Sequence, residues 1–268
     1  MSFNIEVEAG TSVRLPTAGK YCDRDIVITA TGGAEDLNAV LTEQEALIAT
    51  LQETLKGKAA GGGESDPRDQ YQRVEYIESA VEETYPYIIT DICADDNTGV
   101  EVVASFPILQ DRIPMGSRED SGTTRFYCVY PLSASSCYYG FNIGTSISCS
   151  TKVNTIYRLQ TNFMNSRQAI IYEENGTRKA FGNFTQTLTE QTVPIAIFGY
   201  NYAAQGTVTS KREYKLYSAR ISQGFEVIRE YIPCYRKSDG LVGVFEKFTG
   251  RFLTSPVSAF TYGTEIDW

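Results

Sequence analysis

The chain has 268 residues, 24 basic against 33 acidic for a formal net charge of −9, and no histidine. That balance argues against a surface built for nucleic-acid phosphates or anionic lipid, and without histidine the commonest general base and the usual catalytic triads are missing. Hydrophobic residues make up 42% of the chain, with 18 Tyr and 13 Phe, a globular, strand-forming composition and not that of a disordered polymer.

Residues 1–33 alternate apolar and polar in short runs, as in Asn4-Ile5-Glu6-Val7-Glu8 and Asp25-Ile26-Val27-Ile28-Thr29, with breaks at Gly10, Pro16 and Gly19. Segments below about 40 residues rarely bury enough surface to fold alone. The expectation is a small β anchor that associates with its own copies or docks on a larger body. Met1-Ser2-Phe3-Asn4-Ile5-Glu6 lacks the basic and apolar regions of a signal peptide, so export by that route is not expected. No apolar run approaches the roughly 20 residues that cross a bilayer, and membrane insertion is not expected either.

The period changes over residues 34–57. Leu37, Leu41, Gln44, Ile48, Leu51 and Leu55 alternate spacings of four and three, the pattern of a heptad seam. Acidic residues early (Glu35, Asp36, Glu43, Glu45), Lys56 late and Gly57 as a stop complement a helix dipole. About 22 residues at ~1.5 Å each predict a rod of roughly 33 Å. An amphipathic helix lying on its own domain is the ordinary alternative. Oligomerisation is preferred because the helix stands between a fragment too small to fold alone and a Gly-rich linker, residues 58–69, that frees it from the strand-rich region beyond. Gln44 in the seam would fix register, and the mixture of Leu and Ile leaves dimer and trimer open. The fibre-like layout favours a homotrimer.

Residues 70–268 read as short strands separated by turn signals, with Tyr87–Ile92, Val100–Phe106, Thr124–Tyr130 and Val193–Phe198 as examples. Asn175-Gly176 between two β-rich runs predicts a hairpin with a tight turn. Roughly 200 such residues favour a sandwich or jelly roll, because two layers can bury one face of each sheet. The fold class expected is mainly β.

Three stretches of this region carry a family resemblance. They are Tyr71-Gln72-Arg73-Val74-Glu75-Tyr76-Ile77-Glu78-Ser79, Tyr214–Ile221, and Tyr231–Phe245 with Thr249–Thr254 after it. They resemble concanavalin-like (laminin-G-like) domains of phage tail and other virion proteins and of some bacterial surface proteins. Ala80–Tyr87 departs from the family pattern and predicts a modified edge or loop. Leu15–Ile28 is similar to amino-terminal pieces of gut-phage structural proteins. The resemblance implies a fibre-like appendage on a virion surface, assembled in the bacterial cytoplasm. Residues 1–33 would then meet other virion proteins, and the head would meet bacterial surface glycan. A purely structural or decoration role in capsid or tail is the alternative it leaves open.

No chemistry is legible. Glycanases on this sandwich carry Glu-x-Asp-x-x-Glu, which puts alternate carboxylates on one face of a strand. Here only Glu64-Ser65-Asp66 and Glu265-Ile266-Asp267 come near it, in the linker and at the carboxyl end. No catalytic residue is expected, and a glycan depolymerase is the least favoured reading. Asp91, Asp95 and Asp96 are read as solvated loop acids and not a calcium site, so neither metal nor cofactor is expected. The cysteines (Cys22, Cys93, Cys128, Cys137, Cys149, Cys234) are scattered and read as buried thiols, with a Cys128–Cys137 bridge one arrangement that spacing leaves open. Candidate ligand-binding residues are Tyr138, Tyr139 and Asn142 in one aromatic stretch and Tyr200, Asn201 and Tyr202 in another, both read as loops offering flat apolar faces and polar neighbours to a sugar. Strand core is the ordinary reading for any one of these tyrosines.

Overall fold

The structure, a computed structural model, describes residues 12–14, 27–29, 66–79, 85–119, 124–209 and 213–268. The chain divides into two compact units, Met1–Glu64 and Ser65–Trp268. In the first, strands β1 (Ser12–Arg14) and β2 (Val27–Thr29) pair antiparallel, Val13 opposite Ile28. The heptad positions Leu37 to Leu55 and most of the Gly-rich linker lie outside the described residues, as do residues 80–84 of the predicted modified edge.

The second unit begins with a single helical turn, α1 (Pro67–Gln70), whose N-cap Asp66 accepts from the Arg68 amide at 3.0 Å. Its first half then runs through β3 (Tyr71–Arg73), β4 (Ile77–Ser79), β5 (Ile88–Cys93), β6 (Thr98–Ser105), β7 (Met115–Arg118), β8 (Arg125–Pro131), β9 (Ser136–Phe141), β10 (Ile143–Ser148) and β11 (Ile156–Thr161). The second half adds β12 (Gln168–Glu173), β13 (Arg178–Asn183), β14 (Pro194–Ile197), β15 (Tyr200–Tyr202), β16 (Thr207–Thr209), β17 (Lys215–Gln223), β18 (Glu226–Arg236), β19 (Val242–Glu246), β20 (Arg251–Leu253) and β21 (Phe260–Tyr262). They form two sheets. The larger runs β13-β12-β11-β6-β17-β18-β19-β20, with β3, β4 and β21 attached, and the smaller runs β10-β9-β8-β7-β14-β5, with β15 and β16 attached.

One apolar core is shared by both sheets. Val100, Val102 and Ala104 of β6 and Tyr157 and Leu159 of β11 meet Phe126, Cys128 and Val129 of β8 and Phe141 of β9 there, all buried. Alternation explains which side chains enter: on β5, Ile88 and Thr90 are buried while Ile89 and Asp91 face out. The strand-rich reading of residues 70–268 therefore describes a β-sandwich of two mostly antiparallel sheets. The Asn175-Gly176 hairpin joins β12 and β13, but its turn differs in type. Only Gly176 has a positive φ, +81°, and its amide donates to Glu173 O at 2.8 Å while the Glu173 amide donates to Thr177 O at 2.9 Å. The loop is a type I turn followed by a glycine bulge, one residue longer than a two-residue turn, which would need both Asn and Gly left-handed.

Cysteine pairing also departs from the one bridge considered. Pro131, not Cys128, stands opposite Cys137 in the β8–β9 register. An offset of three residues is about 10 Å along a strand, beyond the reach of a disulfide. Cys137 is joined instead to Cys149, whose Cα is 5.9 Å away just past the end of β10, closing the base of the β9–β10 hairpin. Cys128 and Cys234 are buried free thiols, and Cys93 is free and exposed. Burial pushes the Cys234 thiol up to about 12, so it stays protonated and inert.

Two polar devices hold the sheets. On the outer face of the larger sheet, Glu101 is 2% exposed and stands between Gln160 of β11 and Arg220 of β17 in register. Gln160 Nε2 donates to one carboxylate oxygen at 2.5 Å and the Arg220 guanidinium to the other, so the buried charge is paired and bonded. Between the sheets, the Tyr214 hydroxyl donates to Pro114 O at 2.8 Å and accepts from the Phe198 amide at 3.1 Å. Phe198 itself sits at φ +67°, a conformation a bulky residue holds only when its surroundings fix it. Its ring is packed against Tyr214, centroids 4.3 Å apart, and Phe260, 4.8 Å apart. A Tyr214→Phe variant removes one buried hydroxyl but leaves Pro114 O bonded to the Phe198 amide. A loss of about 1 kcal/mol is expected, read from the urea unfolding midpoint; an unchanged midpoint would show that this hydroxyl contributes nothing net.

Candidate functional site

The outer face of the smaller sheet carries a second, smaller apolar cluster: Ile113, Tyr127 and Tyr130, with Leu132, Tyr138 and Tyr200 packed against it. Strict alternation would put Tyr127 and Tyr130 on opposite faces of β8. A bulge intervenes, for the β8–β9 register shifts between these two residues. Cys128 and Val129 consequently both enter the main core, and both tyrosines are left on the outer face.

Glycines make room for the Tyr127 ring. Gly116 on β7 and Gly140 on β9 stand opposite Tyr127 on either side. A Cβ on Gly116 would lie 2.8 Å from Tyr127 Cδ1, and one on Gly140 2.8 Å from Cδ2. The ring therefore lies down over both neighbouring strands, where any side chain would lift it. Tyr200 arrives through the Phe198–Gly199 kink. β14 runs antiparallel to β7, and after the kink β15 runs parallel to it, with Tyr200 beside Gly116. Its ring meets Tyr127 at 4.8 Å, while Tyr130 and Tyr138 meet at 5.9 Å.

Together these side chains wall a depression of about 350 Å³, at the lower end of the range usual for small-molecule sites. Tyr127, Tyr130, Tyr138 and Tyr200 supply the aromatic lining, Ile113 and Leu132 the apolar remainder, and Asp111, Arg118 and Arg125 the charge. The Tyr130 hydroxyl donates to Asp111 Oδ1 at 2.5 Å. Burial, then that bond to the carboxylate, pushes the Tyr130 hydroxyl far above the ordinary tyrosine value, so it remains a donor. The Arg118 guanidinium lies 5.0 Å from the Tyr202 ring centroid, and that of Arg125 lies 6.0 Å from the Tyr127 centroid. Flat rings flanked by one carboxylate and two guanidinium groups can stack on an apolar ring face and bond to hydroxyls or anionic groups at its rim.

Of the six residues picked from sequence, Tyr138 and Tyr200 line this depression. Tyr202 lies beside it, 8% exposed, beneath Arg118 and 6.0 Å from Tyr200. Tyr139 points the other way into the main core, against Phe184 at 5.8 Å. Asn142 occupies the β9–β10 turn at φ +62°, donating to Thr187 O and accepting from the Thr189 amide at 2.9 Å. Asn201 Nδ2 donates to Pro194 O at 3.0 Å. The two stretches read as loops are mostly strand, β9 and β15, which is why neighbouring candidates part company: adjacent strand residues face opposite sides.

Sequence reasoning missed Tyr127, Tyr130, Asp111, Arg118 and Arg125. Arg125 and Tyr127 share one face of a legible strand, a detectable signal, but nothing in the sequence marks the bulge that adds Tyr130. The acidic residues weighed for calcium are each engaged by protein donors. Arg229 binds Asp91 through Nη2 at 2.8 Å, Gln223 Nε2 binds Asp95 at 2.8 and 2.9 Å, and Arg167 Nη1 binds Asp96 at 2.7 Å. Among the described residues, no group of three or more Cys, Asp or Glu side chains is placed to hold a metal ion. Asp66 is a helix cap, and Glu265 accepts from the Tyr235 hydroxyl at 2.8 Å.

No family model matches the chain, and no curated protein matches its sequence. Among solved structures, it is similar to a candidate carbohydrate-binding protein from Bacteroides ovatus ATCC 8483. Identity is 13% and the TM-score 0.46, over 73% of this chain and 62% of that one. It is also similar to domains LG4-5 of the mouse laminin alpha1 chain, at 10% identity and a TM-score of 0.38, over 72% and 46% of the two chains. In both cases the match spans less than two thirds of the other chain's length.

The packing of Tyr127 yields a direct test. In Gly140→Ala the new methyl would also stand 3.1 Å from Arg125 Cγ, so the ring and the arginine stem must both move. Overpacking of this kind typically costs about 1–3 kcal/mol. A urea unfolding midpoint equal to that of the parent protein would show that the ring has room to spare.

Proposed function

We propose that this protein is a non-enzymatic, fibre-like appendage of a bacteriophage particle whose β-sandwich head binds glycan on the bacterial surface. The observation that carries the binding part is the tyrosine-walled depression on the outer face of the smaller sheet, with Asp111, Arg118 and Arg125 at the same place. Tyrosine rings give a sugar's C–H face an apolar surface at little entropic cost, and the charged groups supply bonds to its hydroxyls. The appendage part is supported by the order of segments in the sequence: anchor, heptad helix, Gly-rich linker, head. A single shallow site of this size gives weak affinity, and a homotrimer joined through Leu37, Leu41, Gln44, Ile48, Leu51 and Leu55 would raise it by presenting several heads at once. Residues 1–33 would attach the assembly to the particle.

Tyr138→Ala and Tyr200→Ala each truncate a depression wall that is only half buried, so both variants should fold. Each is expected to weaken binding of the full chain to extracted host surface polysaccharide by tenfold or more, about 1.4 kcal/mol. Parent-level binding by both variants, with circular dichroism unchanged, would remove the depression from the binding role. In analytical ultracentrifugation the full chain should sediment as a trimer, and a clean monomer would remove the stalk from this reading.

A further inference from the structure

We infer that the depression takes a linear glycan lying across the strands, gripped at sugars within the chain and not at its end. This rests on the glycan reading above and names the class of ligand for the same site. The direction comes from a row of residues in register across five strands. Tyr200 stands beside Gly116, Gly116 beside Tyr127, Tyr127 beside Gly140, and Gly140 beside Gly144. Neighbouring strands are about 4.8 Å apart, so the row is about 19 Å long. That is several times the width of one pyranose ring.

Three positions of the row are glycine, and each is cleared for a tyrosine. A Cβ on Gly116 would lie 2.8 Å from Tyr127 Cδ1 and 3.3 Å from Tyr200 Cβ, and one on Gly140 would meet the other edge of the Tyr127 ring. On β10, a Cβ on Gly144 would collide with the Tyr138 ring at its hydroxyl and Cζ. Tyr138 starts on β9 opposite Ser146, yet its ring leans across to Gly144, two residues along β10. Leaning sets the ring down on the same row as Tyr127 and Tyr200. Tyr138 and Tyr200 stay half exposed at the two ends, while Tyr127 between them is 3% exposed and forms the floor.

The depth of the depression separates two ways of holding a glycan. A site that reads a chain end has to close round one sugar. Here the lining reaches from Tyr200 on β15 to Tyr138 on β9, three strand spacings or about 14 Å. Spread over about 14 Å, a volume of about 350 Å³ leaves a mean cross-section on the order of 25 Å², a trough and not a well. A ligand fills it lengthwise. With one sugar stacked on Tyr200, another further along the same chain meets Tyr138 at high effective concentration, and a ligand too short to reach both rings forgoes that gain.

Gly144→Ala isolates the geometry. Gly144 does not hold a left-handed backbone and lies on the end strand of the smaller sheet, so the variant should fold while the added methyl lifts the Tyr138 ring off the row. The test is calorimetric titration of the full chain with cellulose, mannan, xylan and dextran oligomers and with size-fractionated fragments of extracted host surface polysaccharide. Each series runs from monosaccharide to hexamer and includes a hexamer with both end sugars blocked by methylation. In at least one series the hexamer is expected to bind tenfold or more tightly than the dimer, and the blocked hexamer as tightly as the free one. Tyr138→Ala, Tyr200→Ala and Gly144→Ala should each cancel most of the gain from dimer to hexamer, with circular dichroism unchanged. Equal affinity from monosaccharide to hexamer, or loss of binding on blocking the ends, overturns the chain-internal assignment and leaves the glycan reading standing. A hexamer preference that survives in all three variants also overturns it, by placing the long ligand elsewhere on the head. Absence of binding by every series overturns both.

Discussion

Each of the two sheets can lose water from one face only by closing on the other, and that shared core decides which side chains are free to do anything else. Phe126, Cys128, Val129 and Phe141 from the smaller sheet meet Val102, Tyr157 and Leu159 from the larger one. Once those positions are committed inward, the alternation of a pleated strand sends their neighbours outward. The site on the smaller sheet is therefore a by-product of core packing, modified at one point. In β8 a bulge directs two consecutive residues into the core and leaves Tyr127 and Tyr130 on the same outer face. Without the bulge the aromatic wall would lose a side.

Polar groups do the work of joining where apolar contact cannot specify geometry. Glu101 is buried on the outer face of the larger sheet with both oxygens bonded, one to the neighbouring strand on each side, so it fixes the register of three strands at once. Tyr214 acts similarly between elements far apart in sequence, bonding Pro114 and Phe198 with one hydroxyl. That bond steadies the left-handed turn at Phe198, and the turn brings Tyr200 alongside β7. Strain in the core is thus coupled to the placement of an exposed tyrosine. The Cys137–Cys149 bridge closes the hairpin that carries Tyr138, so each aromatic wall has a support behind it.

The electrostatics follow the same separation of local from global. A strongly acidic chain gives solubility and discourages nucleic-acid binding. It says little about a depression where Arg118 and Arg125 face each other across two strands. Paired charges elsewhere, such as Asp91 with Arg229 and Asp96 with Arg167, are half exposed and bind loops or strands together with modest energy.

The amino-acid sequence by itself determined the mainly β character of residues 70–268, the strands within Tyr87–Ile92, Val100–Phe106, Thr124–Tyr130 and Val193–Phe198, and the existence of the hairpin at Asn175-Gly176, because these rest on period, turn chemistry and composition within a few residues. It also exposed Tyr138 and Tyr200 as members of aromatic stretches. It could not separate Tyr138 from its neighbour Tyr139, since both look alike until one face of β9 is known to be buried. Only the tertiary structure decided the bulge in β8, the Cys137–Cys149 pairing, the two glycines beneath Tyr127 and the opposition of Arg118 to Arg125. Each depends on register between strands, and register is set by how the two sheets fill one core, a property of the whole chain that no local window contains.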